Sequence, residues 1–272
     1  MLKSRFNITE KEEAEEQEEY ESQSEPSVSR RAEEAVQEFE HLEIRLERKL
    51  NRSEVSVRLG HLGKTADGDG YAYLKATCTG MGLTDIRALA AFEHLQFVDV
   101  SDNLLTIEAL QVVTKLPFLV LLHADRNRLS SASLARSRYL QVVILNHNNI
   151  RSVHDVHQPE LSTLEVGYNK VEKIEFNSRM PTLKCLDFRY NLIADVSNLD
   201  FPNLDSLYLA GNKITSLAGI ERLTNLRILH MRNNPIALLN GFDQTLAKLQ
   251  YINLRNCKVA TLKQIRKLQV RI

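Results

Sequence analysis

From residue 95 to residue 259 the apolar positions keep one frame, L-x-x-L-x-L-x-x-N-x-L. The first clear copy is Leu95, Val98, Val100, Asn103 and Leu105. Six further copies centre on Asn127, Asn148, Asn169, Asn191, Asn212 and Asn234, and an eighth puts Cys257 in that slot. A degenerate copy precedes them at Tyr73, Ala76, Cys78, Met81 and Leu83. Successive central positions are separated by 24, 21, 21, 22, 21, 22 and 23 residues. In all eight copies the five frame positions hold an apolar residue, or Asn or Cys at the centre. A period of this length marks a repeat architecture, in which each unit is too small to bury its apolar side alone.

Each position has a physical reading. The L-x-L core has a period of two, so both leucines point to one side of a short strand and the intervening residue to the other. The asparagine falls where the chain leaves the strand. Its amide carries two donors and an acceptor, which suits backbone groups left unpaired inside the turn. Asn103, Asn127, Asn148, Asn169, Asn191, Asn212 and Asn234 are therefore expected to form a ladder, with Cys257 as a small structural substitute. The return segments also repeat: Ile214-x-x-Leu217-x-Gly219-Ile220-x-x-Leu223 is the cleanest, and Ile236-x-x-Leu239-x-Gly241-Phe242 and Leu83-x-x-Ile86-x-x-Leu89 resemble it. A coil this short leaves room only for a short helix or 3₁₀ turn on the outside. These features predict an α/β fold, a leucine-rich repeat solenoid with a curved parallel sheet. Nine rungs spaced about 4.8 Å give a sheet roughly 40 Å long.

The residues between core leucines line the inner face of such a solenoid, where repeat proteins bind. One row reads Asp99, His123, Ile144, Glu165, Asp187, Tyr208, His230 and Asn253. The next reads Ser101, Asp125, Asn146, Gly167, Arg189, Ala210, Arg232 and Arg255, and a flanking row runs from Phe97 and Leu121 to Tyr251. Acids gather at the N-terminal end (Asp99, Asp125, Glu165, Asp187) and arginines at the C-terminal end (Arg189, Arg232, Arg255). Tyr168, Tyr190, Tyr208 and Tyr251 add aromatic surface. Tyrosine and arginine among mixed charges are the residues that anchor protein interfaces.

The N-terminal segment differs. Residues 1–54 hold 16 glutamates, no aspartate and nine lysines and arginines, a balance of −7 that the rest of the chain offsets. Residues 1–28 read as a disordered acidic arm, with too little apolar surface to offset ordering entropy. From Ser29, Val36, Phe39, Leu42, Leu46 and Leu50 recur at spacings of three and four, which predicts an amphipathic helix within a capping segment over 29–62. That helix would lie beside the body or dock another protein. The solenoid is expected over 63–272.

Composition narrows the function. Acids and bases balance at 35 each, so charge does not argue for nucleic acid or an anionic membrane. No apolar run reaches the roughly 18 residues a membrane helix needs, and the start lacks the apolar stretch of a signal peptide. Three widely spaced cysteines fit a reducing, cytoplasmic setting. His154-Asp155-Val156-His157 lacks a third metal ligand, and Asp67-Gly68-Asp69-Gly70 lacks the glutamate that closes a calcium loop. Neither G-x-S-x-G nor a phosphate-binding loop occurs. Asp99, His123 and a serine could be drawn as a triad, but His and Asp on neighbouring exposed strands are common. No enzyme activity, metal or cofactor is expected. Other proteins are the expected partners, with no nucleic acid and no membrane.

The 22-residue coils and the I-x-x-L-x-G-I-x-x-L return resemble the leucine-rich repeat subclass typified by the protein phosphatase-1 regulator and an axonemal dynein light chain. Tyr71-Ala72-Tyr73-Leu74-Lys75, His94-Leu95-Gln96-Phe97-Val98-Asp99, Ala124-Asp125-Arg126-Asn127 and Leu249-Gln250-Tyr251-Ile252-Asn253 are similar to the leucine-rich repeat-containing protein 23 family, over about Leu59 to Leu262. This resemblance implies a structural component of the radial spoke in motile cilia or flagella, needed for motility, with other axonemal proteins as partners. A regulatory subunit of a protein phosphatase, or another cytosolic or nuclear adaptor, is the alternative. In that family the solenoid continues into a further repeat, a cap and a charged tail. The chain stops at Ile272, which reads as a shortened paralogue, an incomplete product or an end covered by a partner.

Overall fold

The computed structural model describes residues 47–266. From Arg48 onward they belong to one compact unit. The expected acidic arm over 1–28, and Val36, Phe39, Leu42 and Leu46 of the expected helix, lie outside the described residues.

Ten strands form one sheet in sequence order. The first two are the longest, β1 (Leu59–Lys64) and β2 (Tyr71–Thr77), and pair antiparallel as a hairpin. Asp67-Gly68-Asp69-Gly70 is its turn, closed by Thr65 N–H donating to Gly70 O at 2.9 Å, with Gly68 at φ +82°. The other eight are three residues long and parallel: β3 (Phe97–Asp99), β4 (Leu121–His123), β5 (Val142–Ile144), β6 (Thr163–Glu165), β7 (Cys185–Asp187), β8 (Ser206–Tyr208), β9 (Ile228–His230) and β10 (Tyr251–Asn253).

The strands are short because the asparagine turns each one at once. Asn148 is representative. Its Nδ2 donates to Ala124 O of the preceding coil and to Leu145 O and Asn146 O of its own, each at 3.1 Å. Its Oδ1 accepts from Asn127 N and Leu129 N at 3.1 Å. Asn169, Asn191, Asn212 and Asn234 repeat the donor pattern to the preceding coil, and all seven ladder asparagines are buried. One side chain thus satisfies backbone groups of two coils, and locks their spacing. Cys257 keeps the link to the preceding coil, its thiol donating to Met231 O at 3.3 Å.

The leucine column fills the interior. Leu95, Leu119, Leu140, Leu161, Leu183, Leu204 and Leu226 have no exposed surface. Fully burying each contributes about 1.5–3 kcal/mol. The last coil differs: Leu249, Ile252, Leu254, Cys257 and Val259 are only half-buried.

The outer side holds short turns, as the coil length requires. The 24-residue coil has room for a helical turn, α2 (Ile107–Leu110), which Thr106 caps and which runs on as a 3₁₀ turn, Gln111–Lys115. Where the coils are 21 or 22 residues, the return is a bend or a 3₁₀ turn such as Ile220–Arg222. Gly219 precedes that turn at φ +105°, and a Cβ there would stand 2.4 Å from Ser197 Cα. Glycine is required at this point by both conformation and contact.

Three local expectations change. Leu50 is buried, but outside any helix, its N–H donating to Asp85 O at 2.9 Å. The helix that does form here, α1 (Arg52–Ser56), is set by an Asn51/Glu54 capping box, a hydrogen-bonding signal that the apolar stripe did not contain. The expected boundary between residues 62 and 63 runs through β1. Tyr73, read as a core position, is 51% exposed, because β2 is a longer strand whose alternation turns Leu74 and Ala76 inward instead.

Candidate protein-recognition face

The strand register places the inner-face rows as the repeat frame predicts. Asp99, His123, Ile144, Glu165, Asp187, Tyr208, His230 and Asn253 stand side by side, as do Phe97, Leu121, Val142, Thr163, Cys185, Ser206, Ile228 and Tyr251.

At the N-terminal end the polar groups hold one another. His123 sits between two carboxylates, Nε2 at 3.1 Å from Asp125 Oδ2 and Nδ1 at 3.4 Å from Asp99 Oδ1. Its hydrogen bond to Asp125 raises the imidazole pKa, and the negative charges of Asp125 and Asp99 add to this against the opposing effect of burial. Asp99 also accepts from Ser101 Oγ at 2.8 Å, so this neighbouring serine donates to the acid and not to the histidine. Both imidazole nitrogens are engaged by carboxylates, which leaves no base aimed at a nucleophile. Asp125 accepts from Asn146 N at 2.6 Å, and Asn146 Nδ2 donates to Glu165 at 3.2 Å. A polar chain thus runs across four coils.

Asp187 does not serve as an exposed acid. It is 4% exposed, and Arg189 covers it, Nε donating to Oδ1 at 2.9 Å and Oδ2 at 2.8 Å. Arg189 is therefore neutralised from below while its guanidinium stands 5.7 Å from the Tyr208 ring centroid. Beside this pair, burial and the carboxylates of Glu165, Asp187 and Asp205 push the Cys185 thiol up to about 11, and an uncharged thiol is a poor nucleophile.

At the C-terminal end aromatic rings pack across strands, Tyr208 tilted on His230 and His230 stacked on Tyr251. Tyr208 and His230 lie 5.1 Å apart, and His230 and Tyr251 4.9 Å apart. Burial and the charge of Arg189 lower the His230 pKa, which favours the neutral ring within the stack. Arg232 and Arg255 follow β9 and β10 on this face, and neither forms an ion pair among the described residues.

A further row was not recognised from the sequence as one set. The residue before each ladder position takes the left-handed conformation: Asp102, Arg126, His147, Tyr168, Tyr190, Gly211, Asn233 and Asn256 all have φ between +49° and +71°. The turn geometry imposes it, since the asparagine that follows must point inward. Asp, Asn, Gly and His are frequent in this conformation and were the available signal; Tyr168 and Tyr190 hid it. Along this row His147 and Tyr168 stack at 4.2 Å, Tyr168 and Tyr190 at 4.5 Å, and Asn256 Nδ2 donates to Asn233 Oδ1 at 2.9 Å. Tyr168 and Tyr190 are 44% and 40% exposed. Tyr190 adjoins Arg189, which adjoins Tyr208, so the two aromatic stacks meet in one surface.

Among the described residues no group of three or more His, Cys, Asp or Glu could hold a metal ion, and no helix is long and apolar enough to cross a membrane.

The model for Leucine Rich repeats (2 copies) matches residues 181–222 and 202–244. Leucine-rich repeat-containing protein 23 of Homo sapiens is 36% identical over 213 residues, and that of Mus musculus is 39% identical over the same length. Each alignment covers 78% of this chain and 62% of the relative, so the chain spans less than two thirds of the length of the relatives it matches. Among solved structures, internalin C2 of Listeria monocytogenes superposes with a TM-score of 0.58 at 20% identity, over 67% of this chain and 80% of that one, a likeness of fold. The chain is built of leucine-rich repeats, and over 78% of its length its sequence is similar to leucine-rich repeat-containing protein 23.

Proposed function

We propose that the chain is a protein-interaction scaffold that recognises its partner with the inner sheet face and the adjoining tyrosine row, and that it serves as a radial-spoke component in motile cilia or flagella. One observation carries the binding surface: the contiguous run from Tyr168 and Tyr190 through Arg189 to Tyr208, His230 and Tyr251. Rings already stacked on one another have little conformational freedom left to lose, which lowers the entropic cost of binding. Tyr and Arg are also the side chains that most often dominate binding energy. The axonemal setting is supported by the likeness to leucine-rich repeat-containing protein 23. On this reading the chain resides in the cytoplasm and the axoneme and acts by holding other proteins in place. A fluorescent tag in a ciliated or sperm cell tests it. Signal along the axoneme is expected; signal confined to the nucleus contradicts it.

A further inference from the structure

The inner face carries opposite charge at its two ends, and the structure shows which charges are free. Asp187 neutralises Arg189. His123 sits between Asp99 and Asp125, so one imidazole offsets part of two carboxylates. Glu165 forms no ion pair among the described residues and accepts from Asn146 Nδ2 at 3.2 Å. The N-terminal strands therefore keep a net negative surface. At the other end Arg232 and Arg255 occupy one row on adjacent coils without a carboxylate within 4 Å among the described residues, and Arg232 Nε is buried with no hydrogen-bond acceptor. Tyr208, His230 and Tyr251 lie on β8, β9 and β10, the last two being the strands that lead to these arginines.

We infer that the C-terminal half of this face binds an acidic segment of a partner protein, whose Asp or Glu side chains pair with Arg232 and Arg255 and whose apolar atoms rest on Tyr208, His230 and Tyr251. This deepens the proposed function and rests on it. A guanidinium offers paired N–H donors that match a carboxylate two to two, and a buried Nε lacking an acceptor gains most from one. The acidic N-terminal strands then set the direction. A nucleic acid is negative along its whole length and would be repelled there. A peptide that is acidic at one end and basic at the other matches both halves. From β3 to β10 the face spans seven strand spacings, about 34 Å, which an extended peptide covers in about ten residues.

A phage-displayed random twelve-residue peptide library, selected on the full chain and in parallel on an Arg232→Glu, Arg255→Glu variant, tests the inference. The intact chain is expected to enrich peptides with Asp or Glu clustered towards one end, and the variant to lose those clones and enrich Lys or Arg at the same place. A switch of selected charge is a gain that misfolding cannot produce. Binding of the selected acidic peptides should weaken at least tenfold in the variant and at high salt. No enrichment of acids, the same clones from both proteins, or tighter retention of a random single-stranded oligonucleotide pool overturns the inference. A third selection, on a Tyr168→Ala, Tyr190→Ala variant, separates the two readings. If clones depend on those tyrosines but not on the arginines, the scaffold reading stands and the acidic-segment inference falls. If clones are indifferent to both variants, the binding face itself has been misassigned.

Discussion

Gly211 lies against the ring of Tyr190: a Cβ built on it would stand 2.5 Å from Tyr190 Cδ1, and Gly211 itself has φ +71°. The tyrosine row of the recognition face therefore ends where a residue without a side chain lets the last ring lie flat. Gly211→Ala is expected to cost about 1–2 kcal/mol for the left-handed backbone and to push the Tyr190 ring aside, which a flexible side chain permits. Gly219→Ala should cost about 1–3 kcal/mol more, as an overpacked site does, because its Cβ would meet backbone, Ser197 Cα at 2.4 Å and Val196 O at 2.6 Å. Urea titrations of the two variants check the order. Equal loss, or greater loss at Gly211, would show that the outer return does not approach its neighbour as closely as the structure has it.

Asn148 and Asn149 offer a comparison within one dipeptide. Asn148 is buried, and its amide is bonded to backbone groups on both sides. Asn149 is exposed, and its bond to Leu129 O is made by its backbone N–H, which any residue but proline retains. Asn148→Ala should orphan buried donors and acceptors at about 1–3 kcal/mol each. Asn149→Ala should stay within about 0.5 kcal/mol. Similar midpoints in denaturant would remove the ladder as the device that spaces the coils.

The repeat frame made the ladder, the leucine column and both inner rows legible in the sequence, because a period of two and a turn residue leave each position one side to face. The frame says nothing of what neighbouring polar residues do to one another. Asp187 reads as a surface acid until Arg189 is seen lying on it. Tyr168 and Tyr190 read as aromatic surface together with Tyr208 and Tyr251, but not as members of one row with His147 and Gly211, because the turn conformation that groups them is a backbone property. Tyr73 falls in the opening hairpin, where strand length replaces coil geometry, and Leu50 lies ahead of the repeat frame, before the first described helix.

Two histidines of one row should titrate in opposite senses. His123, held by Asp125 and Asp99, has its pKa raised, whereas burial and Arg189 lower that of His230. The contribution of His123 to stability is full below its unfolded value of about 6.5 and is lost as pH rises through the higher folded value. That of His230 is present above the unfolded value and is lost as pH falls through the lower folded one. NMR titration of the imidazole signals, assigned with His123→Gln and His230→Gln, should give His123 the higher midpoint. The reverse order would mean that the carboxylates do not face His123 as described.

The inner face is the proposed place of recognition. Partner capture from ciliated-cell extract by the full chain, compared with the Tyr208→Ala, Arg232→Glu double variant and read beside the melting temperature, tests this most directly. Both side chains lie on the face and outside the leucine column, so capture should fall at least tenfold while the melting temperature moves by no more than about 4 °C, the shift for about 1 kcal/mol in a domain of this size. Undiminished capture by a folded double variant would contradict it.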